Sequence, residues 1–133
     1  MILVTGGYST DVAEYKSTEV ASYSQGGPFW RFAGNLPASR RGLRAVQFGN
    51  TIIVTGGETD SLQEIQPFTS TTTTTKYPNP RPPDPYYSTT VLTWDPSLET
   101  WSKIGRLNLG RAYHASLAVD TSLFSFECLS SRQ

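Results

Sequence analysis

The chain of 133 residues has one cysteine, one histidine and one methionine, and its charges cancel to a net charge of zero. Each scarcity excludes something. A lone Cys128 cannot build an intrachain disulfide framework or a cysteine-rich zinc site. A lone His114 cannot make a histidine-based metal centre. Zero net charge removes the electrostatic reason to expect nucleic acid or an anionic membrane as partner. The longest apolar run near the start is Ile2-Leu3-Val4, far short of a signal sequence or a membrane span. No Ser-His-Asp set, phosphate loop or carboxylate pair stands out. No cofactor is expected and no enzyme activity. The length suits one domain.

Glycine and aromatic residues are plentiful instead, and they recur. Ile2-Leu3-Val4-Thr5-Gly6-Gly7 returns as Ile52-Ile53-Val54-Thr55-Gly56-Gly57. Tyr23 precedes Trp30 by 7 residues, and Trp94 precedes Trp101 by 7. Trp30 precedes Arg40 by 10, and Trp101 precedes Arg111 by 10. Three spacings in one order define an internal repeat, the feature to establish before any other.

The two copies differ in length at one place. Residues 66–85 hold the Thr71 to Thr75 run and most of the prolines. Proline cannot join a sheet ladder, and this composition buries little. The segment is predicted to be a disordered or polyproline-like insert inside a repeat. Runs of β-branched and aromatic residues between turn residues predict strands near 2–5, 18–24, 29–33, 43–48, 51–55, 89–94, 100–104, 113–119 and 122–126. Gly49-Asn50 reads as a tight hairpin turn.

The pattern resembles the kelch repeat. One copy reads Ile53-Val54-Thr55-Gly56-Gly57, Trp94-Asp95-Pro96, Trp101 and Arg111-Ala112-Tyr113-His114. The other reads Leu3-Val4-Thr5-Gly6-Gly7, Tyr23, Trp30 and Arg40. The resemblance covers nearly all of the chain outside the insert. It implies an all-β fold, a partial kelch-like β-propeller with one complete four-stranded blade flanked by incomplete ones. Residues 1–42 would be an incomplete blade and 43–110 the complete one with its insert. Residues 111–126 would begin the next blade, and 127–133 would be an irregular tail, where Glu127-Cys128 stands in place of the double glycine. On this reading Trp30 and Trp101 fill the space between stacked blades, and one of them is left partly in water where a neighbour is missing.

The function that the resemblance implies is protein–protein interaction. In an up-and-down meander alternate connections emerge on one face. Connections 34–42 and 105–112 and the long loop after Gly57 therefore share it. Arg40 and Arg111, repeated in phase, read as structural ties. Arg41, Arg44 and Arg106 are not imposed by the repeat, and they are the candidates for binding a partner, such as an acidic peptide. His114 reads as a packed structural histidine. Pro80 and Pro83 have PxxP spacing but lack the flanking basic residue of SH3 ligands. Two other readings stand beside this one: a fragment of a kelch-type enzyme (a sugar oxidase or a sialic-acid isomerase), or a truncated product without function. One histidine is too few for the oxidase. The absence of a leader points to the cytoplasm, or to secretion if a leader belongs to a longer parent. Open sheet edges are expected to make the chain self-associate.

Overall fold

The computed structural model describes residues 1–11, 15–24, 26–59 and 86–126. The 66–85 insert, Cys128 and the 127–133 tail lie outside them. The fold is all-β and antiparallel, with no helix among the described residues. Among the described residues no helix is long and apolar enough to cross a membrane.

Strands β1 (Ile2–Thr5), β2 (Ser17–Ser24) and β3 (Gly27–Asn35) form a three-stranded sheet in chain order. Next come β4 (Arg44–Phe48) and β5 (Thr51–Thr55), a hairpin closed by Gly49 and Asn50. Gly49 has φ 60°, the left-handed backbone that such a turn needs and that glycine adopts without strain. The chain then leaves as β6 (Glu58–Thr59) and returns as β7 (Tyr86–Tyr87), which pair as a short ribbon. Strands β8 (Thr90–Asp95) and β9 (Thr100–Arg106) complete a four-stranded sheet of order β4-β5-β8-β9. A final hairpin joins β10 (Ala115–Val119) to β11 (Ser122–Phe126). The β6–β7 ribbon was not foreseen, because two residues a side are too few to show a period.

Side chains alternate between faces along each strand. One face of the four-stranded sheet carries Val54, Leu92, Trp94 and Trp101, and it packs on Val20 and Ala33 of the three-stranded sheet. Leu36 belongs to the same buried cluster, with Leu3, Leu43 and Ile52 at its margin. Both indoles also find polar partners there. Trp101 Nε1 donates to Thr18 Oγ1 at 2.7 Å, and Trp94 Nε1 donates to the Ala33 carbonyl at 3.4 Å. The β10–β11 hairpin lies against the opposite face, where Thr55 Oγ1 and Ser116 Oγ are 2.9 Å apart. Strand β3 runs beside β9, and β4 beside β10.

The two larger sheets repeat one another down to their irregularities. Ladder slips fall between Ser17 and Glu19 in one and between Val91 and Leu92 in the other. Each slip is matched by a glycine on the partner strand, Gly34 or Gly105. These glycines lie 71 residues apart, the same offset as Trp30 and Trp101.

Candidate functional site

The double glycines and the repeated arginines prove to be halves of one structure. Gly7 N–H donates to the Arg40 carbonyl at 2.9 Å, and Gly57 N–H donates to the Arg111 carbonyl at 2.8 Å. The preceding glycine makes room for that carbonyl. A Cβ on Gly6 would lie 2.8 Å from the Arg40 oxygen, and one on Gly56 would overlap the Arg111 oxygen. Both residues also have positive φ, 68° and 64°. Each sheet end is thereby pinned to the connection that leads into the next sheet.

The arginine side chains differ more than their backbones. Arg40 is fully buried and donates through one terminal nitrogen to the Gly56 carbonyl, Ser88 Oγ and Thr90 Oγ1, at 3.1, 3.3 and 3.0 Å. Arg111 donates to the Ser125 carbonyl at 3.2 Å. Arg41 pairs with Glu58 at 2.5 Å, and its guanidinium stands 4.7 Å over the Tyr8 ring. Main-chain bonds also join Arg41 to Glu58 in both directions. Arg44 Nε donates to the His114 carbonyl. Arg106 donates to Thr89 Oγ1 at 3.2 Å on the exposed surface.

Arg41, Arg44 and Arg106 share the double-glycine end of the molecule without forming one cluster. Arg44 sits on β4, opposite Thr55, and Arg106 on β9, opposite Thr90. Those are the two outer strands of the sheet, about 14 Å apart at three strand spacings. Arg41 is already bound to an acid and an aromatic ring.

The same end also carries aromatic and apolar side chains that were not among the residues expected to bind a partner. Tyr8, Tyr87, Leu109 and Tyr113 are all exposed at this end. Tyr113 N–H donates to the Gly42 carbonyl at 2.7 Å, and its ring lies over Gly42. Tyr87 belongs to the ribbon strand opposite Glu58, the partner of Arg41. Tyr8, directly after a double glycine, and Tyr113, inside the Arg111-Ala112-Tyr113-His114 motif, had a sequence signal; Tyr87 and Leu109 had none.

Tyr113 also departs from the repeat. Its counterpart, 71 residues earlier, is Gly42. Both take the left-handed backbone, with φ 54° at Tyr113 and 67° at Gly42. Glycine is free there, whereas a bulky residue is strained by about 1 kcal/mol or more. Despite that, Tyr113 is 51% exposed.

His114 is buried, and its Nε2 lies 2.7 Å from Thr55 Oγ1. Nδ1 has no hydrogen-bond partner among the described residues. Burial holds the imidazole pKa down to about 4, with the Arg111 and Arg44 charges adding to the effect. The ring is therefore neutral at physiological pH. Its counterpart is Leu43, and each packs against the first glycine of a pair: Leu43 at Gly6, His114 at Gly56. A position that leucine fills equally well is a packing position. Among the described residues, no group of three or more His, Cys, Asp or Glu side chains could hold a metal ion.

The other repeated positions fall on the sheet faces. Trp101 is 9% exposed, whereas Trp30 is 47% exposed, on the outer face of the three-stranded sheet. Register pairs Trp94 with Trp101 and Ala21 with Trp30. The counterpart of Trp94 is therefore Ala21, and Tyr23 lies two residues beyond it, opposite Pro28. The reason is turn length. The β2–β3 hairpin closes at Ser24 and Gly27, and the β8–β9 hairpin at Asp95 and Thr100. A shallow cleft lined by Asn50, Thr51, Thr93, Trp94, Asp95 and Pro96 lies at this far end. Its polar groups already serve the fold. Thr51 Oγ1 bonds Thr93 Oγ1 and the Trp94 carbonyl, and Asp95 Oδ1 accepts from the Ser97 and Leu98 amides.

Comparison with known proteins finds no matching family model and no matching curated protein.

Proposed function

We propose that this chain is a stretch of a kelch-like β-propeller that acts as a protein-interaction module, with the double-glycine end as its binding face. Three features support the propeller reading. Neighbouring sheets pack face to face. They place last strand beside last strand (β3 and β9) and first beside first (β4 and β10). The link from each sheet to the next is the same glycine–arginine joint. Sheets fanned about an axis have these relations.

The observation that carries the binding reading is Tyr113. A strained, half-exposed tyrosine occupies a position that the other repeat fills with glycine. Strain retained at an exposed site is a pointer to function. The same end of the molecule carries Tyr8, Tyr87, Leu109, Arg41, Arg44 and Arg106, and aromatic residues and arginine are enriched at interface hot spots. An acidic segment of a partner protein suits Arg44 and Arg106, with the tyrosines supplying apolar contact. The role is non-catalytic, and the setting is the cytoplasm.

Binding of immobilised acidic peptides rich in aromatic residues tests this. Tyr113→Gly keeps the backbone of Gly42 and is expected to fold normally. Combined with Arg106→Ala, it is expected to weaken binding by at least about tenfold, the 1–2 kcal/mol typical of truncated hot-spot residues. Unchanged affinity in the folded double variant moves the site elsewhere.

A further inference from the structure

The two ends of the sheet stack each present a bare apolar face, and the faces differ in kind. On the three-stranded sheet, Ile2, Val4, Trp30 and Phe32 point away from the rest of the molecule and are exposed. They lie side by side, because Ile2 and Trp30 both pair with Ala21, while Val4 and Phe32 both pair with Glu19. On the last hairpin, Leu117, Val119, Phe124 and Phe126 point outward. Leu117 faces Phe124 across the ladder, and the two phenyl rings stack with centroids 6.2 Å apart. Bare apolar patches of this extent mark interaction surfaces.

The repeat says what covers each face. Ile2, Val4, Ala21 and Trp30 correspond to Ile52, Val54, Trp94 and Trp101. Glu19 and Phe32 stand where the other sheet has Leu92 and Lys103. That second set forms the face buried inside the molecule, and what buries it is the opposite face of the preceding sheet, with Leu3 and Val20. Phe124 corresponds to Ile53 and hence to Leu3. The bare hairpin face is thus of the kind that covers a tryptophan face, and the bare Trp30 face is of the kind that is covered. Within this chain the two lie at opposite ends of the stack and do not meet, so a second copy can supply the cover that each lacks.

We propose that the chain self-associates head to tail, the Leu117–Phe124 face of one copy docking on the Trp30–Phe32 face of the next. The contact continues the face-to-face packing already present between the two larger sheets. It uses the sides of the stack and leaves the double-glycine end free, so it stands apart from the binding role proposed above. Such a contact is heterologous. It grows into a ring or an open filament according to whether the rotation between copies closes.

Two variants separate this from any other association. Trp30→Glu with Phe32→Glu blocks one face, and Leu117→Glu with Phe124→Glu blocks the other. All four side chains are exposed, so the packing around Trp101 remains and its emission reports the fold. Sedimentation of the native chain is expected to show concentration-dependent assembly. Each variant alone is expected to be monomeric, and a 1:1 mixture to give a heterodimer that grows no further. Phe124→Ser, a milder change, is expected to raise the assembly midpoint at least tenfold. A native chain that stays monomeric overturns the proposal. So does either double variant assembling by itself, a mixture that stays monomeric, or a Phe124→Ser midpoint equal to the native one.

Discussion

Trp101 and Trp30 hold the same place in two copies of one repeat, each on the last strand of its sheet, opposite corresponding residues of β8 and β2. One is sealed against Thr18 and the other stands half in water. A second pair shows the same contrast on the other side of the stack. Ala33 is buried beneath Trp94, whereas its counterpart Ile104 is exposed, because among the described residues the last sheet has only β10, beside β4, and β11, with no further strand to lie beside β9. Local sequence therefore sets the strand and the direction of each side chain. Whether that side chain stabilises the fold depends on the presence of a neighbouring sheet, as in repeat proteins generally.

The largest expected effect tests this contrast directly. Trp101→Ala leaves a cavity between the sheets and removes the partner of Thr18. It is expected to cost about 3–5 kcal/mol in urea unfolding, whereas Trp30→Ala in dilute solution stays within about 1 kcal/mol. Equal losses would mean that the two positions are packed alike.

The pair Leu43 and His114 sharpens the contrast with pH. The folded-state pKa of His114 is about 4, below the ordinary 6.5. As pH falls, the unfolded chain takes up the proton first. Stability is then intact above about pH 6.5 and declines until about pH 4, by up to about 3 kcal/mol. His114→Leu copies the other repeat and is expected to flatten this part of the pH profile. A decline that survives the substitution would place its source among the carboxylates.

The smallest expected effect concerns the ladder slips. A Cβ on Gly34 would overlap the Glu99 carbonyl of the adjoining sheet, and Gly34 has φ 92°. A Cβ on its counterpart Gly105 meets nothing within 4 Å. Gly34→Ala is expected to lower stability by about 2 kcal/mol, and Gly105→Ala by less than about 1 kcal/mol. Thermal melts of the two variants decide it.

Strands were legible in the sequence because β-branched runs and glycine pairs are local signals. The expected 43–48 and 51–55 strands differ from β4 and β5 by a single residue at one end. The identity of repeated positions was only partly legible. Equal spacings matched Tyr23 with Trp94, but hairpins of unequal turn length matched Ala21 with it instead. At the binding face the arginines were visible as a residue type crowded in the connections. Their engagements were not, since Glu58 meets Arg41 only through a ribbon two residues long. Tyr87 and Leu109 carry no pattern at all, and folding alone brings them to the same end.

Indole hydrogen exchange tests most directly whether one repeated face is covered and the other bare. The Leu117→Glu, Phe124→Glu variant keeps neighbouring copies off Trp30, so three indole N–H signals report the single molecule. Trp101, bonded to Thr18, and Trp94, bonded to the Ala33 carbonyl, are expected to exchange slowly, and Trp30 at close to the solvent-limited rate. Three equally fast signals would contradict the packed sheets, and a slow Trp30 would contradict the bare face.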